Sequence, residues 1–133
     1  MSAPAIGQRV VHKVFAPISR HMLALYCGAS GDRNPMHVDI DFAKASGYDD
    51  VFCHGMLVMA YLGQAVTDAF PPDCLRSFKT RFAAVTQLGA SITCEGTVAE
   101  IMDRAGERRA RISLAAADED GNVKLTGEAV VAL

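Results

Sequence analysis

The sequence carries no surplus of basic residues. Its 133 residues include 13 Lys and Arg against 15 Asp and Glu, a formal net charge of −2. Proteins that bind nucleic acid or an anionic membrane surface usually show a basic excess, so neither partner is expected. No C-x-x-C pair occurs among Cys27, Cys53, Cys74 and Cys94, which excludes a zinc knuckle and a thioredoxin-like motif. Thiols so widely spaced read as small core residues in a reducing, cytoplasmic compartment. The opening MSAPAIGQRV has no apolar stretch behind a basic start, so no secretory signal is expected. The chain also lacks internal repeats, low-complexity tracts and any composition shift that would mark a linker.

Half of the residues are hydrophobic, enough for a real core. The length suits one domain, residues 1–133. A domain this small with so much apolar surface often completes its burial by oligomerising.

A short strand is expected over Arg9–Phe15. Ser19 reads as a helix N-cap ahead of Met22, Leu23, Leu25 and Tyr26, and that helix should stop near Gly28–Gly31. Asp39 or Asp41 caps a second short helix, DFAKASG, with Gly47 as its stop. The stretch HGMLVMAYLGQAVTDAFPP is apolar nearly all round from Gly55 to Phe70 and ends at two prolines. It is too short for a bilayer, which needs about 20 residues, so the expectation is a helix buried on almost every side. From Leu75 the period changes to two. Ile92, Cys94, Gly96 and Val98 alternate with small or polar residues, as do Ala110, Ile112 and Leu114, and then Val123, Leu125, Gly127, Ala129 and Val131. These are strands, joined by the hairpin-like turns DRAGE and DEDGN. Strand, helices, one apolar helix and a run of four antiparallel strands give an α+β domain, its curved antiparallel sheet wrapped around a central helix.

The segment GDRNPMH places a carboxylate, Asp32, five residues before an imidazole, His37. Pro35 has no N–H and disfavours helical geometry at Asn34, so the chain folds back here. A fold-back can bring Asp32 and His37 together, whereas residues five apart on a helix point in different directions. An adjacent carboxylate and imidazole can hold a water and move its protons near neutral pH. Turn chemistry alone also explains Asp32, Asn34 and Pro35. A second feature adds weight to the chemical reading: His54-Gly55 opens the apolar helix. Gly55 lets a ligand approach the backbone, and the free N–H groups of a helix start stabilise a developing negative oxygen. Taken alone, Gly55 reads as a helix N-cap, which glycine often is.

The run YCGASGDRNPMHVDIDFAKASGY, the later CHGMLVMAYL and the closing LTGEAVVAL together resemble the MaoC-like, or (R)-specific enoyl-CoA hydratase, family over essentially the whole chain. The resemblance implies a hotdog fold, with dimers formed through the sheets, sometimes higher oligomers or heteromers, and active sites near the interface. It implies a lyase of fatty acid metabolism in which Asp32 and His37 activate a water that adds to a trans-2-enoyl thioester of CoA or acyl carrier protein. Gly55 would offer its backbone N–H to the thioester oxygen, and Asn34 would hold the loop. No metal and no redox cofactor is implied, since the thioester itself acidifies C2. The chain departs from the family's pattern at RFAAVTQLGAS, where members often carry a proline-valine stretch and a Gly-Asp.

Other residues have plainer readings. His54 is expected to fix the loop through a ring hydrogen bond, and His12 and His21 to lie on the surface. Tyr26, Tyr61, Met56 and Met59 suit an acyl pocket or an ordinary core. Arg104, Arg108, Arg109 and Arg111 lie beside Glu100, Asp103 and Glu107 and read as a solvated hairpin. Lys79 and Arg81 alternate on one strand face and are candidates for the CoA phosphates. Hydrolysis of the thioester is the competing activity. It would call for an acid on the central helix, where only Asp68 stands, near the far end. A third possibility is one half of a heteromer.

Overall fold

Elements follow one another in the expected order in the computed structural model, which describes residues 3–133. Strand β1 (Arg9–Val14) leads to helix α1 (Arg20–Ser30), a 3-10 turn at Pro35–His37 and helix α2 (Ile40–Ala45). The two-residue strand β2 (Phe52–Cys53) then runs into the long helix α3 (Gly55–Ala69). Strands β3 (Leu75–Phe82), β4 (Thr86–Gln87), β5 (Thr93–Arg104), β6 (Glu107–Ala117) and β7 (Val123–Ala132) complete the chain. The boundaries have local causes. The Ser19 side chain accepts from the Met22 amide at the start of α1, and Gly31, at φ 76°, ends that helix in the left-handed region. Asp39, and not Asp41, caps α2 by accepting from the amides of Asp41 and Phe42. Phe70 turns extended after α3, ahead of Pro71 and Pro72.

Five strands form one antiparallel sheet in the order β1-β5-β6-β7-β3. The four expected strands are thus joined by β1, which pairs with β5. A separate pair, β2 with β4, was not foreseen. It ties the segment just before α3 to the loop after β3. The inward residues of the sheet follow the alternation read from sequence: Ile92, Cys94, Val98, Ala110, Ile112, Leu125, Ala129 and Val131 are all essentially inaccessible. Val123 departs from it at 42% exposed, because the register shifts at the start of β7, between its partners Ala116 and Ala117. Against them lie Leu57, Val58, Leu62, Ala65 and Val66 of α3. Full burial of each large side chain contributes about 1.5–3 kcal/mol, so this helix–sheet layer dominates the stability.

Helix α3 is not buried on every side. Met56 is 51% exposed, and Ala60, Gln64 and Asp68 continue the same open stripe at four-residue spacing. The sheet covers one face of the helix, and among the described residues no element buries the opposite stripe. Similarly, α1 buries Leu23 and Cys27, while Met22 and Leu25 face outward. Among the described residues no helix is long and apolar enough to cross a membrane.

The charged hairpin is solvated only in part: Arg104 and Arg108 are exposed, whereas Glu107, Arg109 and Arg111 are half-buried. Arg108, Arg109 and Arg111 are paired with Asp103, Glu107 and Glu100 at 3.7, 2.7 and 3.2 Å. Lys79 and Arg81 line a shallow groove of about 530 Å³ on the sheet, where Lys79 meets Glu128 at 3.1 Å. Cys27, Cys53 and Cys94 are buried, whereas Cys74 is only half-buried.

Candidate functional site

The fold-back at Pro35 converges on a compact group. Asn34 caps the 3-10 turn, its side-chain oxygen accepting from the Met36 amide at 3.1 Å. The Ser30 hydroxyl accepts from the Asp32 amide at 3.1 Å. Those two contacts fix both ends of the loop. One carboxylate oxygen of Asp32 faces the Asn34 amide at 3.4 Å, and the other lies 4.0 Å from Nε2 of His37. Sequence reasoning brought Asp32 and His37 together, and the structure does so.

The other ring nitrogen of His37 contacts the Phe52 carbonyl oxygen at 2.7 Å. A carbonyl only accepts, so Nδ1 carries the hydrogen and the neutral ring presents a bare lone pair at Nε2. That lone pair is on the side of Asp32. A gap of 4.0 Å is too long for a direct hydrogen bond. A water about 2.8 Å from each group would subtend about 90° there, close to its own H–O–H angle. One water can therefore donate to both. His37 is 8% exposed while half of the Asp32 side chain remains open to solvent, so the notch is reachable from outside.

His54 backs this arrangement. Its ring stacks on His37 with centroids 3.8 Å apart and planes at 29°. Its Nε2 lies 3.3 Å from the Asp32 carbonyl oxygen and 3.4 Å from Sγ of Cys27. The Tyr26 ring meets His54 in a T-shaped contact with centroids 4.7 Å apart. The expectation that the His54 ring fixes the loop by a hydrogen bond agrees with these contacts. Burial, and then the neighbouring His37, push the pKa of His54 down. Tyr26, itself part-buried and near Asp32, has its phenol raised. Tyr61 lies instead in the core, stacked on Phe15 at 4.1 Å.

Gly55, the first residue of α3, follows His54, and no side chain caps this helix start. As the first helical residue, Gly55 has no intrahelical acceptor for its amide. The Phe82 ring covers the glycine so closely that a Cβ there would fall 2.9 Å from the ring. Phe52, Phe82, Val85 and Gly55 share an open cavity of about 310 Å³. Neither Phe52 nor Phe82 was identified from sequence. The Phe52 contact uses a backbone carbonyl, which any residue supplies, and Phe82 reaches Gly55 across 27 positions of chain.

Asp32, His37 and His54 each offer a ligand atom within 4.8 Å of the others, so a cation deserves a test. The stacked rings argue against one. Lone pairs lie in the ring planes, and near-parallel rings direct them side by side instead of toward one point. The His54 nitrogen that faces Asp32 is also committed to a carbonyl.

A family model described as the MaoC like domain matches residues 2–119. The chain belongs to the MaoC-like domain family. A probable enoyl-CoA hydratase 2 from Dictyostelium discoideum is 31% identical over 80 residues, 58% of this chain. The chain spans only 27% of the length of that relative. An (R)-specific enoyl-CoA hydratase from Rhodospirillum rubrum is 28% identical over 116 residues, covering 86% of this chain and 78% of its own. Among solved structures, the unliganded R-hydratase PhaJ1 from Pseudomonas aeruginosa superposes with a TM-score of 0.83 at 27% identity, over 96% of this chain and 81% of that one. The MaoC-like members share the hotdog architecture described above.

Proposed function

We propose that this chain hydrates trans-2-enoyl thioesters reversibly, giving (R)-3-hydroxyacyl thioesters. The single observation that carries the reading is the aim of His37: Nδ1 is committed to the Phe52 carbonyl and Nε2 faces Asp32 across a water-sized gap. The likeness to the (R)-specific hydratase of Rhodospirillum rubrum supports it. In the proposed step, Asp32 and Nε2 of His37 hold the water. As its oxygen bonds to C3, Nε2 takes a proton and the Asp32 carboxylate stabilises the imidazolium. The C2=C3 electron pair moves toward the thioester oxygen, where the Gly55 amide meets the growing negative charge. The imidazolium then returns the proton to C2. Water is consumed, one C–O and one C–H bond form, and His37 ends neutral. Asn34 keeps the loop closed. No metal or redox cofactor enters the scheme.

The acyl group can be borne by CoA or by acyl carrier protein. We read the enzyme as cytoplasmic, in keeping with its unpaired thiols. We also read it as a homodimer joined through β3, which is paired on one side only within the chain. Hydrolysis is the weaker reading. Asp68 is about 20 Å from Gly55 along the helix and is engaged by Lys13.

Incubating a trans-2-enoyl-CoA series with the protein in deuterated water tests the reading. The expected product is the (R)-3-hydroxyacyl-CoA carrying one deuterium at C2, with no free thiol released. Stoichiometric free CoA without the hydroxy product would replace hydration by hydrolysis.

A further inference from the structure

Two stacked histidines meet at this site, and only His37 has a place in the scheme above. His54 is 1% exposed, too deep to touch a substrate, yet it contacts both members of the pair. Its Nε2 reaches the main-chain carbonyl of Asp32 and its ring face supports His37. Because that carbonyl only accepts, Nε2 carries the hydrogen. Nδ1 is then a bare nitrogen, buried without a hydrogen-bond partner among the described residues. Leaving a buried nitrogen unpaired is costly, so packing and turn chemistry alone do not account for a histidine here. A phenylalanine would fill the same space and stack as well.

We propose that His54 is a positioning residue, whose Nε2–H tethers Asp32 by its carbonyl while its ring supports His37, so that the separation of the pair depends on it. The tether joins the start of α3 to the loop between α1 and α2, two parts of the chain 22 residues apart. Without it Asp32 is held at its position by its own neighbours in sequence, Ser30 and Asn34. A charged His54 would place a proton on buried Nδ1 beside His37, and the lowered pKa agrees with a ring that stays neutral while His37 exchanges protons. Cys27, at 3.4 Å from Nε2, packs the far side of the tether.

The kinetic arm of the test rests on the hydratase reading, and the spectroscopic arm does not. His54→Phe keeps a flat ring and loses the N–H, while His54→Gln keeps an N–H near the position of Nε2. In 15N–1H spectra, wild type and His54→Gln should show His37 as a single tautomer with a slowly exchanging Nδ1–H, and slow amide exchange over 32–37. His54→Phe should lose both signatures. On an enoyl-CoA that wild type hydrates, His54→Phe should lose kcat by at least about tenfold with KM changed less than about twofold, since small misplacements of reacting groups act on the chemical step. His54→Gln should stay within about threefold of wild type on the same reasoning. If wild type hydrates nothing, the functional reading fails and the spectra alone decide. A His54→Phe protein that keeps the His37 signature overturns the proposal. If His54→Phe does not fold, His54→Asn takes its place, because its shorter amide reaches the Nδ1 position and not the carbonyl. Equal spectra for the Asn and Gln variants would then overturn it.

Discussion

Replacing Gly96 by alanine should destabilise the protein, while the same change at Gly28 should stabilise it. Gly96 is buried in β5 and faces both neighbouring strands, paired with Val11 on one side and Leu114 on the other. A Cβ placed there falls 2.7 Å from Cδ2 of Leu114, 2.9 Å from Cγ2 of Ile112 and 2.9 Å from Cβ of Val11. Carbon atoms rest at about 3.5–4.0 Å, so each contact is short by at least about 0.6 Å. All three neighbours are buried, and the Val11 atom is fixed to its backbone, so none can swing aside. Overpacking of this kind costs about 1–3 kcal/mol, and three simultaneous clashes belong at the upper end. Alanine recovers about 0.4–1 kcal/mol through the unfolded chain. The net loss is about 2 kcal/mol, a fall of about 1 M in the urea midpoint for a slope near 2 kcal/mol/M. Gly28 sits at an exposed position of α1 with nothing within 4 Å of its Cβ position, so alanine there should raise the midpoint by about 0.4–0.5 M on the same slope. Urea unfolding at one fixed protein concentration measures both. Equal midpoints for the two variants would refute the packing argument.

Gly55→Ala should fold as well as wild type, because the half-exposed Phe82 ring can move away. Its hydration rate should still fall at least about tenfold as the approach to the amide fills, within the range for a lost oxyanion donor; an unchanged rate would remove Gly55 from the site. Under native conditions iodoacetamide should label Cys74 first. Burial pushes the Cys53 and Cys94 thiols up to about 12, so mass spectrometry should find them modified only after unfolding. Acid should act through Asp118. Gln87 first, and then the Asn122 and Asp120 amides, hold its carboxyl below the ordinary carboxylate range. The unfolded chain therefore takes up that proton first as pH falls. The stability Asp118 contributes is complete above about pH 4 and is lost below it. The gap in urea midpoint between wild type and Asp118→Asn should accordingly be widest at neutral pH and narrow below about pH 4.

Caps and periods were legible in the sequence because they act over a few residues. Ser19 and Asp39 start helices by accepting from amides two or three positions away, and most inward strand residues declare themselves by alternation. The convergence of Asp32 and His37 was legible for the same reason: Asn34 and Pro35 fold five residues back on themselves. What was hidden depends on distant contacts. Phe52 holds His37 from 15 residues away through a backbone oxygen, and β2 and β4 are two residues each, too short to show a period. The open stripe of α3 was hidden because Met56 and Ala60 are as apolar as the residues beneath the sheet. Asp118 was hidden because DEDGN reads only as a hairpin-like turn. Its burial comes from Lys124 and Gln87, which meet it from β7 and β4.

The central claim is that one water is activated between Asp32 and His37. The most direct measurement is the loss of conjugated enoyl absorbance from short and long trans-2-enoyl-CoA substrates, with wild type beside Asp32→Asn and His37→Ala. The account predicts hydration by wild type and a loss of at least about 10²-fold in each variant, the size expected for a general acid–base group. Full activity in either variant, or a folded wild-type protein that leaves every enoyl thioester untouched, would contradict it.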